Sequence, residues 1–137
     1  MTAGKERGHP DADTIQAAID EGWVRIVEPS QNALERVEEV EIRAGIRLDA
    51  GERAALATAL QEGESQLLTD DEDANLVASN LELNVNGSPA ILITAVRKEK
   101  LNRKQARQAL DTMLEKGFWL STRMVQQFNE ALEEIAP

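Results

Sequence analysis

QLLTDDEDANLVASNLELNVNGSPAILITAVRKE, residues 66 to 99, is the stretch whose reading decides the fold. Gln66 to Thr69 is short and apolar enough for a strand, and Asp70 or Asp71 to Asn80 has the acidic start and apolar spacing of a helix. Leu83 to Val85 reads as a second short strand, closed by the turn residues Asn86 and Gly87. Ser88 and Pro89 fit an N-cap followed by proline at the first helical position, launching AILITAVRKE. Strand, helix, strand, helix implies a parallel sheet with helices packed on it, because parallel strands need crossovers that are usually helical.

Upstream, LDAGERAALATALQEG offers Asp49 as N-cap, Glu52 three residues on, and Gly63 as the stop of an Ala/Leu-rich helix. Asp11 or Asp13 to Glu21 is a short helix with Ile15, Ala18 and Ile19 at helical spacing and Gly22 after it. The β-branched run Trp23 to Pro29 predicts a strand, and Ser30 to Glu41 a charged helix fading into Ala44 and Gly45. Downstream, Asn102 and Gln105 start a helix buried through Ala106, Leu110, Met113 and Leu114, with Gly117 as its stop. Ser121 caps a second helix, buried through Met124, Val125, Phe128, Leu132 and Ile135, and Phe118 and Trp119 are expected packed in the connection. The predicted class is therefore α/β, a mostly parallel central sheet flanked by helices and ending in a helical hairpin, as one domain over residues 1–137.

Composition narrows the chemistry. The chain has no cysteine, which removes disulfides, thiolate zinc sites and a cysteine nucleophile together. His9 is the only histidine, so a serine–histidine triad or a multi-histidine metal centre lacks its residues. Catalysis is left to carboxylates, hydroxyls and bound metal. A net charge of −10 repels phosphate and argues against a simple nucleic-acid clamp, although carboxylate-bound metal inverts the local charge. So acidic a surface also suits solvation at high salt. No apolar run approaches the roughly 20 residues of a membrane span, and Met1 to Pro10 is charged and glycine-rich, so a cytoplasmic protein without membrane contact is expected.

The acids then need a reading. In open parallel α/β sheets, ligands bind outside the carboxyl ends of the strands, where loops lead into helix N-termini. Asp70 and Asp71 follow a strand at such an end, and Glu52 opens the preceding helix, so three carboxylates from two loops are candidates to converge. Mg²⁺ or Mn²⁺ is held by one to several carboxylates plus waters, and in two-metal sites such ions activate water for in-line phosphodiester attack. The plainer reading is that all are helix caps, each worth about 0.3–1 kcal/mol at a helix start. Caps vastly outnumber metal sites, Glu52 has a box partner in Asp49, and Glu72 and Asp73 are ordinary first-turn acids. Ser88 is a cap or the polar wall of a site, with the cap favoured.

Lys5 and Arg7, and six of the chain's 15 basic residues between Arg97 and Arg107 (Arg97, Lys98, Lys100, Arg103, Lys104, Arg107), form a basic group that could serve RNA. A solvated helix face explains the second group more simply. Trp23 and Trp119 are expected in the core or facing a partner in preference to stacking on bases.

GERAALATALQEG, LLTDDEDANLVASNLELNVNGSPAILITAVRKEKL and LEKGFWLS resemble the later two-thirds of a PIN-domain protein, in the branch of toxin-type ribonucleases from prokaryotic toxin–antitoxin pairs. GKERGHPDADTIQAAIDEGWVRIVEP resembles an internal segment of that branch. The resemblance implies an α/β fold and a pocket of three or four acids that binds Mg²⁺ or Mn²⁺ for RNA cleavage, with RNA and an antitoxin as partners. Matched by motif, Glu52 heads the Ala-rich helix. The acid after the next strand falls on Asp70 or Asp71, the T-x-D form favouring Asp71 and the strand-then-Asp form Asp70. Ser88 matches the small hydroxyl residue after the family's glycine turn. The family opens with a strand ending in an essential aspartate and a helical region with a second acid, and neither precedes Gly4 here. The chain is therefore expected to be N-terminally truncated by about 40 residues against the family's domain size. Weak or absent ribonuclease activity follows. The alternative is a non-catalytic interaction module, self-associating as a homo-oligomer, in which the acids only cap helices.

Overall fold

Two short strands, β1 (Gln66–Leu68) and β2 (Asn84–Asn86), pair in parallel with Leu67 opposite Val85 and Leu68 opposite Asn86. They belong to a computed structural model that describes residues 10–63 and 66–136. Helix α4 (Glu72–Asn80) crosses between them, and α5 (Ser88–Arg97) leaves the end of β2. Before the sheet come α1 (Pro10–Asp20), α2 (Gln31–Ala44) and α3 (Ala50–Glu62); after it come α6 (Arg103–Glu115) and α7 (Thr122–Glu134). The result is a helix-rich α/β fold with a small parallel sheet, as the alternation of residues 66 to 99 predicts.

Among the described residues the core forms two apolar clusters. Val37 of α2, Leu56 of α3 and Val77 of α4 lie wholly buried at the centre of the first, and the paired Leu67 and Val85 pack against it. Successive strand side chains face opposite ways, so Leu68 points off this cluster and is exposed. The second cluster joins Ile93 and Val96 of α5 to Ala106 and Leu110 of α6 and to Phe128 and Leu132 of α7. Arg103 ties the last two helices together, its Nε donating to the Leu132 carbonyl at 2.9 Å and its Nη2 to that of Ile135. Arg107 adds an ion pair to Glu133.

Local signals set the helix ends. Ser30 Oγ accepts from Ala33 N–H at the start of α2, and Gly45, at φ 66°, ends it in the left-handed conformation that costs glycine nothing. Asp49 and Glu52 form the expected capping box on α3. Between these helices Glu41, only 5% exposed, accepts from Arg53 through both oxygens at 2.6 and 2.8 Å, while Leu48 N–H donates to it at 3.3 Å. The guanidinium holds the Glu41 carboxyl below its usual proton affinity.

Four expectations are corrected. Trp23 to Pro29 is not a strand: no described strand lies beside it, and Trp23 and Ile26 are 74% and 73% exposed. β-Branched composition needs a neighbouring strand to act on, and here Arg25 and Ser30 instead reach Glu62 and Gln61 at the end of α3. Asn84–Asn86, one residue later than expected, forms β2. Gly87 and not Ser88 is the N-cap of α5, which moves Pro89 one position into the helix. Trp119 and Met124 are exposed instead of packed. Lys5, Arg7 and His9 lie outside the described residues.

Candidate acidic site at the strand ends

The parallel register builds the site. Thr69 N–H donates to Asn86 O at 3.0 Å, continuing the ladder past Leu68, so Asp70 comes level with Ser88. Asp70 Oδ1 accepts from Ser88 N–H at 2.7 Å and Oδ2 from Ser88 Oγ–H at 2.5 Å. A carboxylate from the end of one strand thus caps the helix that follows the next, complementing its dipole. Gly87 makes room for it: a Cβ there would stand 2.7 Å from Asp70 Oδ1 and 3.3 Å from Thr69 O. Ser88 is therefore the donor partner of Asp70 and not the cap of its own helix.

Asp71 turns the other way. Its N–H donates to Thr69 Oγ1 at 3.1 Å and its Oδ1 accepts from Ala74 N–H at 2.8 Å, so it caps α4. Glu52, half-buried at the start of α3, accepts from Asp49 N–H at 3.3 Å. Burial raises its proton affinity; the Asp49 N–H opposes this, and the nearby carboxylates of Asp71 and Asp49 add to the rise. The structure thus brings Glu52 to Asp71, whereas Asp70 is engaged by Ser88. Among the described residues no group of three or more histidine, aspartate or glutamate side chains is placed to hold a metal ion.

Asp70 and Asp71, with Glu72 and Asp73, line a cleft of about 760 Å³ whose other lining includes Phe118 and Trp119. Glu52 does not line it, and Asp71 alone belongs to both the cleft and the carboxylate pair. Sequence spacing misses the aromatic part, because the connection between α6 and α7 reads simply as a packed joint; the signal was a large aromatic between two other apolar residues. The basic group splits. Arg103 and Arg107 are spent on α7, while Arg97, Lys98, Lys100 and Lys104 are exposed, and Lys100, Arg103 and Lys104 border a second cavity of about 640 Å³. No helix among the described residues is long and apolar enough to cross a membrane.

A family model for the PIN domain matches residues 1–134. No curated protein and no solved structure matches the chain.

Proposed function

The chain belongs to the PIN-domain family, a nuclease-type family, and on that premise we propose that it is a weak, divalent-metal-dependent ribonuclease of the toxin-type branch, with an antitoxin as protein partner. PIN domains generally use divalent metal ions and commonly bind RNA. The observation that carries the proposal is the position of Asp71, between the end of β1 and the start of α4, where it lines the cleft while α4 packs against α3, whose first turn carries Glu52. Carboxylates near one another repel, a cation relieves that repulsion, and Mg²⁺ is commonly held by one or two carboxylates with water completing its shell. The pair fits that minimum and no more, so weak affinity is expected.

Glu52 and Asp71 would hold Mg²⁺ or Mn²⁺, which when bound supplies charge neutralisation at the phosphate and a more acidic water. The N-terminus of α4, with its oriented N–H groups, adds positive potential beside Asp71. Asp70, fixed by Ser88, holds the end of β1 to the start of α5, beside the neighbouring Asp71.

The second reading also has an observation behind it: Glu52, Asp70 and Asp71 each already accept a backbone N–H at a helix start, as caps do. Thermal melts with Mn²⁺ and a cleavage assay on single-stranded RNA separate the two. For the ribonuclease we expect a rise in melting temperature that Glu52→Gln and Asp71→Asn abolish, and slow cleavage lost with EDTA. No response to metal, with a dimer that grows with concentration, establishes the interaction module instead.

A further inference from the structure

Phe118, Trp119 and Leu120 join α6 to α7 as irregular backbone, and their side chains alternate. Phe118 and Leu120 are half-buried against the second apolar cluster, while Trp119 between them is 67% exposed. The two anchored neighbours hold the indole outward, as alternation along an extended segment does. The exposed indole lines the cleft that Asp71, Glu72 and Asp73 also line. Met124, on the first turn of α7, is also exposed and lines the same cleft.

The cleft therefore combines a flat aromatic surface with the carboxylates of Asp71, Glu72 and Asp73. Carboxylates only accept hydrogen bonds, so this lining repels phosphate and takes amino donors. An unpaired nucleobase has both halves of the complement, a π-face for the indole and, in adenine, cytosine or guanine, an exocyclic amino group for a carboxylate. Asp71 lines this cleft and is also one of the carboxylates that would hold the proposed cation, so a base seated here lies beside that proposed site.

Resting on the ribonuclease proposal above, we infer that Trp119 is a positioning residue on which one unpaired, amino-bearing base of a single-stranded RNA stacks. Duplex RNA keeps its bases stacked on one another and does not present such a face.

The test uses the full chain with Trp23→Phe, which leaves Trp119 as the only tryptophan. Octameric oligo(A), oligo(C) and oligo(U) and a matched duplex are titrated in Mn²⁺, with Trp119 emission and the anisotropy of labelled RNA as readouts. Oligo(A) and oligo(C) should quench the emission, oligo(U) should bind more weakly, and the duplex should leave it unchanged. Trp119→Ala should weaken single-strand binding by about five- to 150-fold, the range of one base–aromatic stack, and Trp119→Phe should restore most of it. If the parent binds and cuts RNA but Trp119→Ala binds equally well, the inference falls and the ribonuclease stands. If no RNA binds or is cut by the parent, both fall. Self-association lost in Trp119→Ala, with no quenching by RNA, assigns the indole to a second copy and also overturns the inference.

Discussion

Gly87 shows how one residue can set a site without touching a ligand. Its φ of −99° is open to any residue, so its need is spatial: a methyl group would stand 2.7 Å from Asp70 Oδ1. Gly87→Ala should break both Asp70–Ser88 bonds and cost about 2 kcal/mol, the scale of hydrogen bonds to a charged group. Ser88→Ala removes only the hydroxyl bond and should cost about 1 kcal/mol at this exposed position. Urea melts of the two variants check the order. Glu41 gives the second prediction at this scale. Its folded pKa is held below the usual carboxylate value by Arg53, so its contribution is full above the unfolded value of about 4.3 and is lost as pH falls through the folded one. Glu41→Gln should cost about 3 kcal/mol at pH 7, because Arg53 is left half-buried without its partner. The loss should shrink on acidification, which melts at pH 7, 5 and 3.5 would show; a constant difference contradicts it.

Among the elements, α7 depends on a side chain from elsewhere. Its carbonyls at Leu132 and Ile135 are taken by Arg103, at the first position of α6, so the start of one helix supplies the cap for the end of another. Arg103→Ala should fray the end of α7 and cost about 1.5 kcal/mol, with Arg103→Lys recovering less than half because a lysine lacks the forked donors. Amide exchange at Leu132 to Ile135 reads this directly. The segment Trp23 to Pro29 makes the opposite point. Its composition asks for a strand, yet sheet formation is a relation between two segments, and no strand among the described residues lies beside it. The capping boxes at Asp49 and Asn102 were legible in advance because both partners lie within one turn.

At the scale of the molecule, a net charge of −10 and a two-cluster core set the expectations. Self-repulsion among exposed acids weakens with ionic strength, the screening length falling from about 10 Å at 0.1 M salt to about 3 Å at 1 M. Raising KCl across that range should lift the melting temperature by about 3–5 °C, equivalent to about 1 kcal/mol, in scanning calorimetry. The same scans test whether the clusters, bridged by the sheet and by Asp70–Ser88, unfold together as one domain: equal calorimetric and van't Hoff enthalpies are expected, and two transitions contradict it. The sequence by itself determined what is local. Helix caps, apolar spacing, the strand–helix alternation of residues 66 to 99 and the excluded chemistries all rest on residues within a few positions of one another or on composition. Only the tertiary structure decided the relations between distant segments. The parallel register sets Asp70 on Ser88, the approach of α3 to α4 sets Glu52 against Asp71, and the joint between α6 and α7 turns Trp119 outward. Those outcomes depend on which surfaces pack together, and no spacing along the chain encodes that.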